Sequence, residues 1–309
     1  VCPESRSQSA RTAFRRRNIL DPEHALVSFV LRPLLLTAGI AAAGPALAQQ
    51  AEAPAPERSR DYVMAGAGMA VLPDYEGSDD YGWTPVPGAV GSVAGFSFQF
   101  IGNRLSVDVI PDRAGPGWNV ALGPVGVVNF NRASTRGIDD PGVKALGKVG
   151  TAVELGGYAG VGRVGVITSD YDRLSLTVSY RHDVSGVHDA GIFTPSVSYL
   201  TPLSRKALVG LFASAERAEE GYADTYFGVT PAGSAASGLP AYDPDGGWKS
   251  WTAGMGAAVS LTGDLTHGLQ LVAAGTYRRL LGDTADSPIV ATAGSRNQWM
   301  GALGLAYSF

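Results

Sequence analysis

From Tyr62 onward the apolar residues of this chain recur at every second position, and the residues between them are mostly Ser, Thr, Gly, Ala and Gln, with an occasional charge. Leu174, Leu176, Val178 and Tyr180 alternate with Ser175, Thr177, Ser179 and Arg181; Phe96, Phe98 and Phe100 flank Ser97 and Gln99; Leu105, Val107 and Val109 flank Ser106 and Asp108. A period of two is the pleat of a β-strand, whereas a helix repeats every 3.6 residues. In a soluble sandwich the outward face would be charged for solubility. Here the second face is small and weakly polar, which fits strands with one face on lipid and the other on a narrow lumen. The expected fold is therefore all-β, a transmembrane antiparallel β-barrel with short periplasmic turns and long external loops.

The alternation predicts strands near 61–72, 84–94, 95–101, 104–110, 117–131, 149–161, 172–183, 190–201, 206–217, 249–261, 268–280 and 298–309, twelve in all. An even number is what a single-chain bacterial barrel requires. Counted back from a periplasmic C-terminus, the longest gaps (73–83, 132–148, 218–248 and 281–297) all fall outside, while 202–205 and 262–267 fall inside. The segment 84–110 is the weak place. Pro85 and Pro87 would interrupt a ladder with no free edge, and the turn at Gly95 looks too tight, so ten strands is the alternative.

Composition adds constraints to this frame. The 41 glycines include Gly66, Gly68, Gly156, Gly157, Gly254, Gly256, Gly301 and Gly304 inside strands, as expected where a small barrel curves tightly around a crowded lumen. The mean hydropathy of +0.06 is ordinary because lipid-facing and lumen-facing residues cancel. Gly301, Leu303, Leu305, Tyr307 and Phe309, at two-residue steps to the end, are expected to form the signal read by the barrel-assembly machinery. Aromatic residues near strand ends, among them Trp83, Trp118, Trp251 and Trp299, suit the interfacial girdles of a barrel.

The first residues differ in kind. Arg11, Arg15, Arg16, Arg17 and Arg32 precede an apolar run from Leu34 to Ala43, followed by Ala46, Leu47, Ala48 and Gln49. This reads as a signal peptide over 1–48, cleaved between Ala48 and Gln49, with 1–25 as an over-extended start. Pro-rich residues 49–60 read as a disordered periplasmic lead-in, and 61–309 as the barrel. Residues 1–48 carry six Arg and three acids, leaving 18 bases against 25 acids and a formal charge of −7. Such a chain has no electrostatic attraction for nucleic acid. The single cysteine, Cys2, lies in the leader, so no internal disulfide or cysteine zinc site is available.

Several stretches resemble the MipA/OmpV family of outer-membrane proteins, the first named as the MltA-interacting protein. They are Pro73-Asp74-Tyr75-Glu76-Gly77-Ser78, Thr225-Tyr226-Phe227-Gly228-Val229-Thr230, Ser237-Gly238-Leu239-Pro240-Ala241-Tyr242, Leu280-Leu281-Gly282-Asp283 with Ala285-Asp286-Ser287-Pro288-Ile289, and the Tyr307-Ser308-Phe309 end. The resemblance implies an outer-membrane barrel acting as a scaffold between a lytic transglycosylase and a penicillin-binding protein in murein synthesis. Porin-like diffusion and adhesion are the other roles it brings. Outer-membrane lipid, lipopolysaccharide and the murein enzymes are thus the expected partners, with no nucleic acid and no cofactor.

Three groups of residues invite a chemical reading. Asp74, Glu76, Asp79 and Asp80 crowd the first external loop and are weak candidates for a hard cation, although a loop of solvated acids explains them as well. Arg104, Asp108, Glu154, Arg181 and Arg278 project into the lumen by strand parity, either as a selective constriction or as a salt-bridged interior. His182-Asp183 and His188-Asp189 lie at one external turn. With no placed serine or oxyanion donor beside them, they do not make an enzyme. The long segment from Glu219 to Lys249 holds Tyr222, Tyr226, Phe227, Tyr242 and Trp248, and could fold into the lumen as a plug or face a partner.

Overall fold

A computed structural model describes residues 61–112 and 115–309. The expected signal peptide, with Ala46, Ala48 and Gln49, and the lead-in 49–60 lie outside the described residues. The strands are β1 (Tyr62–Pro73), β2 (Tyr81–Val93), β3 (Phe96–Ile101), β4 (Arg104–Asp108), β5 (Gly117–Asn129), β6 (Ala152–Val164), β7 (Arg173–Asp183), β8 (Gly191–Ser204), β9 (Ala207–Ala218), β10 (Gly247–Ser260), β11 (Gly268–Leu280) and β12 (Asn297–Ser308). Each pairs antiparallel with its sequence neighbours, and β1 pairs with β12 to close the barrel, so the count is twelve and not ten. Short helices decorate the external end: α1 (Pro141–Ala145), α2 (Glu220–Phe227), α3 (Pro231–Ser237), α4 (Gly282–Asp286) and α5 (Pro288–Ala291). Most predicted strand limits shift by no more than three residues.

The pleat sets the two faces. Leu303, Leu305 and Tyr307 point out to lipid, while Ala302, Gly304 and Ala306 of the same strand point in toward Gly66, Gly68 and Ala70 of β1. Trp83, Trp118 and Trp299 stand 71%, 63% and 70% exposed on the outer surface. On the inner face the side chains are small because the wall is tight. A Cβ on Gly123 would strike the Val107 carbonyl oxygen and one on Gly156 the Tyr180 carbonyl oxygen, so neighbouring backbones approach there as only glycine permits.

The segment that the sequence made doubtful has a simple explanation. β3 and β4 are short, and their hairpin stops part-way up the wall. β3 pairs with β2 only from Gly88 to Val93, and β4 with β5 only from Val125 to Val127. Above that level Tyr81 to Pro87 of β2 pair with β1 alone. The carbonyl of Pro87 accepts from Gly102 N at the hairpin tip (2.9 Å), so Pro87 turns its polar edge toward β3, and Pro85, two residues away, turns its edge the same way into unpaired space. A free edge therefore exists, and the prolines occupy it. The turn at Gly95 is also relaxed: Ala94 (φ 53) and Gly95 (φ 84) are both left-handed, as a type I′ hairpin requires.

The external segments pack together over the mouth of the barrel. Helix α2 lays Tyr222, Tyr226 and Phe227 against Ile192, Ala218, Leu280, Ala285 and Val290. A second cluster joins Tyr75, Ile138, Val143, Val229, Leu239 and Ile289. Tyr226, Phe227 and Ile289 are 1% exposed or less. At about 1.5–3 kcal/mol for each large apolar side chain removed from water, these contacts hold five external segments as one lid. Thr177, Ser196, Gly160 and Gly256, lower on the inner wall, retain accessible surface.

Candidate functional site: a charged belt beneath the lid

Directly under the lid, inward-facing positions of several strands and one loop carry opposite charges in alternation. Glu154 on β6 meets Arg181 on β7 (2.5 Å), and Arg181 reaches Glu216 on β9 (2.9 Å). Glu216 meets Lys249 (2.9 Å), Lys249 meets Glu76 of the first external loop (2.5 Å), and Glu76 meets Arg278 on β11 (3.3 Å). Arg181 also donates to Thr194 (3.1 Å), Asn129 donates to Glu154 (2.9 Å), and the Tyr222 hydroxyl donates to Glu76 (2.8 Å). Charges this buried persist only when paired and hydrogen-bonded, and each acid here has such partners.

Burial by itself would raise the Glu76 pKa, but Lys249 and Arg278 hold it below the ordinary glutamate value. The same burial, with Glu76, Glu216 and Glu154 nearby, pushes the Tyr222 phenol well up, so it stays a donor. The Lys249 ammonium also lies 4.8 Å from the Tyr222 ring centroid, a cation–π contact that ties α2 to the belt.

Strand parity anticipated Glu154, Arg181 and Arg278 here, and they are joined through Glu216, Lys249 and Glu76. Parity along β9 could have found Glu216. Lys249 was hidden by a bulge: the β9–β10 register shifts between Trp248 and Ser250, which turns Lys249 inward where strict alternation would turn it out. Glu76 was visible only as a loop acid, since nothing local shows that its loop folds down into the barrel.

The family is now decidable. The profile of the family described as MltA-interacting protein MipA matches residues 65–309. The chain belongs to that family. It is a twelve-stranded barrel of the outer membrane. No curated protein matches the sequence. Among solved structures, similarity extends to OprD from Pseudomonas aeruginosa at 10% identity and TM-score 0.34, covering 82% of this chain and 61% of that one. It extends to the channel DcaP of Acinetobacter baumannii at 10% identity and TM-score 0.35, over 81% and 96% of the two chains. It also reaches an outer-membrane channel from Pseudomonas putida F1 at 12% identity and TM-score 0.38, over 83% and 99%. The chain thus spans less than two thirds of OprD.

The remaining candidates of this MipA-family barrel separate from the belt. Asp108 is buried near the lower end of β4, where it accepts from Ile110 N (2.9 Å) and Leu122 N (3.2 Å). Arg104 reaches across the lumen to Ser179 (3.5 Å) and makes no salt bridge among the described residues. Asp183 accepts from the backbone of Ser185, Val187, His188 and Asp189 and so shapes its turn. His188 is buried between Tyr222 and Tyr226, with Nε2 3.4 Å from Glu154. His182 Nδ1 lies 2.8 Å from the Asp183 carbonyl. The loop acids diverge: Glu76 enters the belt, Asp74 accepts from Asp139 N (3.2 Å), and Asp79 and Asp80 face solvent. Gly301, Leu303, Leu305, Tyr307 and Phe309 form an outward row, with the Tyr307 and Phe309 rings 4.9 Å apart.

Proposed function

We propose that this MipA-family protein is a non-conducting structural barrel, a scaffold in envelope and murein maintenance that contacts a lytic transglycosylase and penicillin-binding protein machinery. The single observation that carries this reading is the covered mouth of the barrel: a buried aromatic lid clamped to a belt of alternating charges lies across the route a diffusing solute would take. The family description, which names MltA, supplies the partner class. The His and Asp residues of the rim serve turn geometry and lid packing, which supports a role without catalysis.

The contact surface belongs on the periplasmic side. Segments 165–172 and 261–267 are longer than tight turns and present Ile167, Asp170, Leu261 and Asp264. Photo-cross-linkers placed at positions 167 and 261 in intact envelopes are expected to capture a lytic transglycosylase. Planar bilayers with the purified barrel are expected to show no steady open steps. Steady conductance together with an empty cross-link would replace this reading with that of a diffusion channel.

A further inference from the structure

Where the β3–β4 hairpin stops short, the wall lacks two strands beside Tyr81 to Pro87 of β2, while β5 ends at Asn129, one residue past the Val128 that the hairpin tip bonds, so the opening is a notch along the β2 edge. At about 4.8 Å per strand this leaves roughly 10 Å of wall without a ladder. The gap is framed below by the hairpin tip, bonded to Pro87 O on one side and through Asn103 O to Val128 N on the other. Above, Asn131 accepts from Glu76 N (3.0 Å), joining the two loops that leave β1 and β5. The result is a window in the barrel wall toward its external end. Thr84 and Ile101 share the inward face of their strands with Gly88 and Arg104, yet both are exposed, Ile101 by 50%, whereas Glu154 and Ser250, also on the inner wall, are fully buried. Trp83 and Pro85 flank the opening on the membrane side, and Phe130 beside it is exposed.

Arg104 stands at the base of this window. The belt above it balances three carboxylates, Glu76, Glu154 and Glu216, against Arg181, Lys249 and Arg278. Arg104 adds one further positive charge facing the same lumen; among the described residues its hydrogen bond goes to the neutral Ser179 hydroxyl, while Asp108, on the same face of β4, accepts from the backbone of Ile110 and Leu122. A cation set inside a barrel beside Arg181, with no carboxylate in salt-bridge contact among the described residues, can take an anion. A guanidinium binds a carboxylate through parallel hydrogen bonds. The opening beside it leads to lipid through apolar edges.

We propose that the window admits a long-chain fatty acid, whose carboxylate pairs with Arg104 while its single alkyl chain passes along the β2 edge into the membrane. The test uses the whole barrel in phosphatidylcholine nanodiscs, with brominated palmitate as the probe. Its quenching of Trp83 is read as the difference between the protein and its Trp83→Phe variant. Saturable quenching is expected. Charge-assisted hydrogen bonds are worth enough that Arg104→Gln should weaken it about tenfold or more, with Arg104→Lys retaining part of the affinity. Filling the window with Thr84→Tyr and Ile101→Phe, which leave Arg104 in place, should abolish it. Quenching that rises linearly without saturation, or that is equal for brominated hexadecanol, would show partition into lipid alone and overturn the proposal. Full competition by inorganic phosphate at the concentration of palmitate would overturn it as well, since the site would then ignore the tail.

Discussion

Glu76 is the external-loop carboxylate that joins the charged belt, and replacing it with Gln tests whether the lid is held electrostatically. The substitution keeps the size of the side chain and removes its charge. Lys249 then retains only Glu216, Arg278 loses its carboxylate partner, and the Tyr222 hydroxyl loses a charged acceptor. Removing one member of a buried ion pair costs about 3–5 kcal/mol, because the surviving charge stays buried. The carboxylate here serves two cations and is 7% exposed, so little solvent screening reduces that range. At 1.4 kcal/mol per tenfold, even the lower end of about 3 kcal/mol raises the open-lid population by about a hundredfold. The strand ladders are untouched, so the effect belongs to the lid. Amide hydrogen exchange of Tyr222 to Phe227 in lipid should accelerate by that factor, and an added protease should cut within 219–246. A second change, Lys249→Met on the Glu76→Gln background, should recover part of the protection by removing the stranded cation. Exchange within about twofold of the parent protein would refute the electrostatic clamp and leave apolar packing as the sole attachment.

Acid should open the same lid, with a sign that follows from the lowered Glu76 pKa: the stability it supplies is complete above the ordinary glutamate value and is lost only as pH falls through the lower folded-state value, so α2 exchange protection should stay flat from pH 7 to about 5 and decline below the usual carboxylate range. Gly123→Ala should destabilise the barrel by about 1–3 kcal/mol in urea unfolding from lipid, because its methyl group meets the Val107 carbonyl. Pro85→Ala should change unfolding by less than about 0.5 kcal/mol, since its nitrogen faces the window, whereas Gly91→Pro, in the stretch of β2 paired on both sides, should cost about 3 kcal/mol or more.

The barrel was legible because its cause is local. A side chain's face is decided by its position along one strand, so the alternation of Leu174 to Tyr180 or Leu303 to Phe309 states which way each residue points before any partner strand is known. The same parity indicated Glu154, Arg181 and Arg278 as inward charges. It failed at Lys249, where a single inserted residue reverses the face, and at Pro85, where a break in local propensity marked an unpaired edge created by a neighbouring hairpin of the wrong height. The acid cluster of the first loop was ambiguous for a related reason: whether Glu76 meets water or a lysine 173 residues away depends on how the loop folds, and no pattern within the loop encodes that.

By itself, then, the sequence determined the class of fold, an even strand number of twelve or ten, the membrane-facing rows and the small residues of the lumen, all of which follow from period two and side-chain size, and the closed ladder decided for twelve. Only the tertiary structure decided that the external segments close into a lid, that six charges form one belt, and that the wall carries a window beside Arg104. Those features join residues far apart in the chain, and long-range pairing of charge and shape leaves no periodic trace in the order of amino acids.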